Sequence, residues 1–499
     1  MKVSIKLNIL ANYAGRGWSS LLTLLFVPFY IKFLGVESYG LVGFYATIQA
    51  VFSLLDLGFS TTLNRELAIL SSDNANRQET GNTVRTLESI YWCFACLIFL
   101  LTTLLAPLIA YHWINPESLS QAAVSEAIQL MGLVVSLRFP FALYSGGLMG
   151  LQRQVLLNGI MVGSGSLRGG GAVLVLWLVS PTIQAFFVFQ AATALLETTV
   201  VMFFLWKSIP VSFFSSQFKI GVLKKVYRFA AGMTGIGISS MMLTQVDKII
   251  LSKFVSLEVF GYYSLAATAS TGLVSLLVHP VFNAVFPRLS QLVKSGTAEM
   301  MVSFYHKSCQ MVSLLIIPAG LVVVFFAQDV LEIWTSNFFV AANASNLLSV
   351  MTIGCIFNSF MNIPYALQLA NGWTSLMFKY NTIAVIVAIP VLIVITPSYG
   401  AIGASMVWAI LNVSYVFLVP PIMHRRLLQS EKMKWYVKDI GFPLLCGAFS
   451  VAALSKIFGM LEFGDLSKIV LTMMITAAVV AISSEQIRPL LLRKRTFFY

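Results

Sequence analysis

The sequence predicts an all-α integral membrane protein of about fourteen transmembrane helices. They are arranged as two pseudo-symmetric six-helix lobes around a central cavity, with two further helices at the C-terminal end. Three observations carry this. Of 499 residues, 58% are hydrophobic and only 10% charged, against about 25% charged in soluble domains. Apolar runs of about 18 residues or more recur along the whole chain, and mean hydropathy is +0.85. An internal repeat relates its two halves.

The runs place helices at 10–34, 39–63, 87–111, 122–150, 155–179, 182–206, 229–253, 259–286, 308–327, 341–370, 374–396, 400–423, 439–458 and 467–485. Lobe boundaries follow: 1–206 for helices 1–6, a basic linker 207–228, 229–424 for helices 7–12, then 425–499. The first run is too long for a signal-peptide core and lacks an A-x-A-like cleavage site, so it is expected to be retained. With the N-terminus inside, one set of loops carries roughly five times as many lysines and arginines as the other, which puts both termini in the cytoplasm. The net charge of +13 therefore reflects topology and anionic lipid headgroups, not a nucleic-acid groove. The outer loops are short, including 328–340.

The repeat pairs "KFLGVESYGLVGFYAT" (32–47) with "KFVSLEVFGYYSLAAT" (253–268) without gaps, and "SYG-x-x-G" returns at 398–403. Each copy spans the end of one helix, a turn and the start of the next. Six helices separate the first two copies, so orientation is preserved, a known transporter plan with the substrate path between lobes.

A second layer of signal lies in polar residues within the spans. Helix 1 carries Asn8, Asn12, Arg16, Ser19 and Thr23 at spacings of three and four, and helix 2 carries Gln49, Ser53, Asp56, Ser60 and Asn64. Arg138 and Arg168 stand mid-span in helices 4 and 5. Helix 7 adds Thr244, Asp247 and Lys248, helix 8 His279 and Asn283, and helix 10 Asn358 and Asn362. An arginine at the bilayer centre costs at least about 2.5 kcal/mol, so such groups face a bundle interior or a water-filled cavity. Three intramembrane arginines set against two acids, Asp56 and Asp247, leave positive charge needing an anion or water. The guanidinium fork matches phosphate bidentately, and a hydrated cationic pocket for a phosphate-bearing ligand is expected. Salt-bridged clamps within the bundle, such as Arg16 with Asp56, are the plainer alternative.

Other motifs resolve to packing. "GSGSLRGGG" (163–171) lacks the preceding strand and the Lys-Ser/Thr of a phosphate loop, so its glycines are expected to permit close helix contact or local unwinding. Cys93 and Cys96 spell C-x-x-C inside an apolar helix, and no disulfide framework is implied. The four histidines, 112, 279, 306 and 424, have no metal-ligand spacing. No nucleophile, base and orienting group assemble, so no catalytic residue and no cofactor are expected. Prolines 28, 140, 280, 318, 364 and 390 are read as bends.

The stretch from "NILANYAGRGWSSLL" to "NRELA" (8–68) resembles the opening of the polysaccharide transport family, particularly Wzx-type O-antigen flippases. So do "GLMGLQRQVLLN" (147–158), "QVDKIILSKF" (245–254) and "YGAIGAS" (399–405). This family belongs to the multidrug/oligosaccharidyl-lipid/polysaccharide exporter superfamily, and the likeness covers helices 1 to 12. It implies a V-shaped pair of six-helix bundles in the bacterial inner membrane that moves an undecaprenyl-diphosphate-linked oligosaccharide to the periplasmic leaflet. On that basis Arg16, Arg138, Arg168, Lys248, Asn12 and Asn358 become substrate-binding candidates. Asp56 and Asp247 become charge-pairing groups or couple transport to a proton or sodium gradient. A polymerase and a chain-length regulator of the same pathway are implied partners. Helices 13 and 14 resemble the extra pair of fourteen-helix peptidoglycan-precursor flippases. Two alternatives stay open at this point: a cation-coupled multidrug antiporter of the same superfamily and a membrane-bound polysaccharide polymerase.

Overall fold

The computed structural model describes residues 5–70, 77–209, 211, 215–460 and 464–487, and within α1 and α7 the side chains of 5–14, 16, 223–237, 239 and 240 lie outside the described set. Among the described residues, eleven helices are long and apolar enough to cross a membrane, and the protein is a multi-pass membrane protein. The chain falls into two compact units, 1–261 and 262–499.

The first unit begins with α1 (Ile5–Phe52), which bends at Gly35, where φ is +78° and the backbone leaves the helical region. Only glycine reaches that conformation without cost, so the outer turn expected near 35–38 is made by one residue. A 3-10 turn over Ser53–Asp56 follows, then left-handed Leu57 and Gly58, then α2 (Phe59–Leu70). The predicted unbroken helix 39–63 is thus corrected. Gly58, at φ +73°, stops it, and the polar stripe divides into Gln49, Ser53 and Asp56 before the break and Ser60 and Asn64 after it.

Next come α3 (Arg77–His112), α4 (Gln121–Gly150), α5 (Gln154–Leu178), α6 (Ile183–Ser208) and α7 (Ile220–Phe254). The last begins nine residues inside the stretch read as linker and loop. Ser120 caps α4 by accepting from Ala123 N, and Thr182 caps α6 in the same way from Ala185 N. Leu63, Leu67, Leu87, Tyr91, Leu143, Tyr144 and Leu205 form the centre of this unit's core. Glycines set its closest approaches. Gly146 and Gly150 lie against the carbonyls of Ser60 and Asn64, so the small-x-x-x-small spacing brings the α2 backbone onto α4.

The α3–α4 loop is fastened to both repeat copies. Glu37 Oε1 accepts from Glu117 N at 2.6 Å, Oε2 accepts from Ser118 N at 3.0 Å and Leu119 N at 3.2 Å, and Ser118 Oγ also donates to it. On the other side Leu257 N donates to Asn115 O at 2.9 Å, and Trp113 Nε1 donates to Ser252 Oγ at 3.0 Å.

In the second unit α8 (Leu257–Leu273, whose first turn belongs to the first unit) runs through a π-turn at Val274–Val278 into α9 (His279–Ser295). Pro280, unable to donate into the ladder, explains the widened turn before it. Then follow α10 (Ala298–Phe325), α11 (Ala327–Thr335), α12 (Phe338–Phe360) and α13 (Asn362–Ala370). Two expectations are corrected here. The loop at 328–340 holds the helix α11. The helix predicted over 341–370 is interrupted at Met361, because Pro364 has no N–H to offer the carbonyl of Phe360.

Finally α14 (Ser375–Leu427) bends at Gly400, φ +53°, and is followed by α15 (Lys432–Lys434), a π-helical stretch Trp435–Gly441, α16 (Phe442–Met460) and α17 (Asp465–Ser483). Tyr305, Ile316, Ile363, Leu367, Met423, Trp435, Val451 and Val480 are among the buried residues of this core. All five cysteines are free thiols.

Candidate functional site

Three neighbouring helices of the first unit bring Arg138, Arg168 and Glu197 together. Arg138 Nε stands 3.7 Å from Glu197 Oε2, and Arg168 Nη1 stands 3.3 Å from the same oxygen. The other oxygen, Oε1, accepts from Ser164 Oγ at 2.8 Å. Glu197 is 4% exposed, whereas the arginine side chains keep 23% and 29%. The carboxylate is therefore the buried anchor, and both guanidinium groups lean on it from a more open side.

Local packing holds these helices in place. Thr198 Oγ1 donates to Leu137 O at 2.8 Å, tying α6 to α4 beside the two charges. Tyr30 OH donates to Gly169 O at 3.2 Å, tying α1 to α5. Any side-chain carbon on Gly169 would collide with the Phe26 ring, and one on Gly171 with Phe189. The glycine run around Arg168 thus serves close helix contact, and α5 stays helical through it, with no unwinding.

Arg138 also lines a cavity of about 180 Å³, together with Gln49, Ser53, Asp56, Val135, Phe139, Phe141 and Ala142. A water needs roughly 10–15 Å³ of such volume, so the space has room for several waters. Asp56 takes its hydrogen bonds from hydroxyls: Ser60 Oγ at 2.9 Å and Tyr91 OH. A guanidinium from α4 and a carboxylate from the 3-10 turn thus line the same space, beside apolar residues of α4.

Asn12 and Arg16 belong to α1, and their side chains lie outside the described set. Asp247 is buried on α7 and Lys248 half-buried beside it. Asn358, in the second unit, donates through Nδ2 to Asn412 Oδ1 at 2.7 Å, and Asn412 donates in turn to Trp408 O at 2.8 Å.

Glu197 was absent from the sequence-level charge balance, and that balance is corrected by it. The lone acid in "ATALLETTVV" is as costly in a bilayer as the arginines, so the same rule singles it out. With Glu197 included, Arg16, Arg138, Arg168 and Lys248 stand against Asp56, Asp247 and Glu197, so the excess of positive charge shrinks to one. What the arginine pair has in surplus is donors. Two guanidinium groups bring about ten N–H groups, and the contact described uses a single shared oxygen.

The family described as "Polysaccharide biosynthesis protein" matches residues 31–335. The chain belongs to that family. Among curated relatives, a putative O-antigen transporter of Shigella flexneri is 23% identical over 409 residues, covering 82% of this chain and 95% of the relative. Among solved structures, a lipid II flippase in an inward closed conformation superposes with a TM-score of 0.74 at 16% identity, covering 98% of this chain and 100% of that one. An inward-facing multidrug transporter of the MATE family gives 0.67 at 12% identity, covering 83% and 96%. These two likenesses show the fold. This member of the polysaccharide biosynthesis family shares its helical architecture with flippases and exporters alike.

Proposed function

We propose that the protein is a flippase for an undecaprenyl-diphosphate-linked oligosaccharide, an O-antigen or similar surface-polysaccharide repeat unit. It moves the headgroup from the cytoplasmic to the periplasmic leaflet of the inner membrane by alternating access. Two six-helix lobes do the rocking, within fourteen crossings and with both termini in the cytoplasm. The observation that carries this reading is the convergence of Arg138 and Arg168 on one oxygen of Glu197, with Arg138 at the wall of a cavity. Guanidinium donors left in reach of a half-open cavity are a receptor for phosphate oxygens. The O-antigen transporter relative and the lipid II flippase fold support the same substrate chemistry.

In this reading the diphosphate is gripped by Arg138 and Arg168, with Arg16, Asn12, Lys248 and Asn358 meeting other parts of the headgroup. The polyprenyl tail stays in lipid. Asp56 and Asp247 orient the basic groups or couple the cycle to a proton or sodium gradient. A polymerase and a chain-length regulator consume the flipped unit.

The MATE-like fold keeps a multidrug antiporter as the second reading. The cavity wall holds both a guanidinium and a carboxylate, and the likeness to an O-antigen transporter favours the first reading. The test is complementation of a strain lacking its own repeat-unit flippase. Arg138→Ala and Arg168→Ala are expected to reach the membrane at wild-type levels and to lose surface glycan. Normal display in both variants overturns the assignment, and efflux of cationic dyes by the wild-type protein would favour the antiporter.

A further inference from the structure

Two histidines lie buried near the junction of α10, α14 and the π-helical stretch before α16, and their partners differ in kind. His424 Nδ1 is 2.8 Å from Pro420 O, and its Nε2 is 3.3 Å from Tyr305 OH. A carbonyl accepts and a phenol donates, so a neutral ring satisfies both. His306 Nδ1 is 2.5 Å from Asp439 Oδ2, and its Nε2 is 2.9 Å from Glu431 Oε2. Ionised carboxylates only accept. Each contact then asks for a hydrogen on the ring, and the two together describe an imidazolium.

The surroundings fit an ion held in place. His306 and Asp439 are fully buried, while Glu431 keeps 24% exposure and gives the cluster an edge toward solvent. Asp439 Oδ1 accepts from Gln310 Nε2 at 2.9 Å, and its main-chain carbonyl accepts from Ser313 Oγ at 2.7 Å. Gln310 Oε1 accepts from Gln486 N at 2.8 Å, drawing in the segment after α17. The charged neighbours are Lys434, 3.6 Å from Glu431, and the Lys438–Glu485 pair at 2.9 Å. From α14 the facing titratable group is His424, which contacts Tyr305. Asp439 also sits inside the π-helical stretch Trp435–Gly441, a rare geometry that recurs at functional sites.

We propose that His306, Asp439 and Glu431 form a proton-binding site, and that the bound proton fastens the C-terminal helices α16 and α17 to α10. Removing it leaves a carboxylate facing a ring lone pair across a buried contact, which pushes the segments apart. Attachment of the C-terminal pair is then strongest when the site is protonated and weakens as pH rises. Nothing in the transport reading uses these residues, and the proposal stands or falls without it.

The test uses full-length protein in lipid nanodiscs with 15N-labelled histidine. The His306 signal is identified by its loss in His306→Gln. Both its ring nitrogens are expected to carry hydrogen at neutral pH, as the two carboxylate contacts require, and this is expected to be lost in Asp439→Asn. A bare nitrogen on His306 at neutral pH overturns the proposal. Should the buried variants fail to accumulate, Glu431→Gln at the exposed edge serves instead. Its thermal midpoint is expected to be lower than wild type at neutral pH, with the gap closing on the alkaline side. Parallel profiles for the two proteins overturn the coupling to pH.

Discussion

Gly40 and Gly261 occupy equivalent places in the repeat, and each is closed against the other copy. Gly40 packs on the carbonyl of Leu257, and Gly261 packs on the carbonyl of Val36. The same 221-residue offset that aligns the two copies also relates Val36 to Leu257, so one contact is made twice with its partners exchanged.

Gly40→Ala and Gly261→Ala should each force the two helices apart. Overpacking of this kind costs about 1–3 kcal/mol. Thermal unfolding in detergent should show a drop for either variant. The double variant should fall by less than the sum of the two, because the first displacement already relieves the second contact.

Glu197→Gln should destabilise the first unit while leaving room for an anion. Removing one partner of a buried ion pair costs about 3–5 kcal/mol, and the partly exposed arginines bring that toward the lower end or below. Added pyrophosphate should recover more of the lost thermal stability in this variant than it adds to wild type. No difference between the two would mean that the guanidinium groups are not open to anions.

Glu37→Gln keeps one acceptor oxygen and loses the other. The amides of Ser118 and Leu119, with the hydroxyl of Ser118, then compete for fewer lone pairs, at a cost of about 1–3 kcal/mol. Hydrogen exchange at 117–119 should accelerate, while amides in the middle of α4 stay protected.

Asp329 offers a pH-dependent effect outside the spans. Partial burial raises its carboxyl above the ordinary range, Asp465 adds to the rise, and Lys468 opposes it. A folded-state pKa above the unfolded one means that the charged form is disfavoured in the fold, so stability is gained as pH falls through it. Asp329→Asn should therefore raise the thermal midpoint at neutral pH, and the gain should vanish in acid.

The spans were legible because bilayer thickness imposes an apolar length that composition cannot hide. Breaks inside them were harder to read. At Leu57–Gly58 and Met361 the polar neighbours Asp56, Ser60, Asn358 and Asn362 read equally well as a stripe on an unbroken helix. Arg138 and Arg168 were visible for their cost in hydrocarbon, and Glu197 carried the same signal. Their convergence was not visible, since periodicity assigns a residue to a face of its own helix and says nothing about which helices become neighbours. His306 and Asp439, 133 residues apart, illustrate the same limit.

Gly35 and Gly400 turn α1 and α14 back on single residues, so these corners contain no slack. Reporter tags used to map which side a segment faces need a few free residues on either flank. Placed at 35 or 400, such a tag would unwind the helix ends it was meant to report on. The stretch between α3 and α4 has the length to accept one, provided the residues held by Glu37 and the second repeat copy are spared.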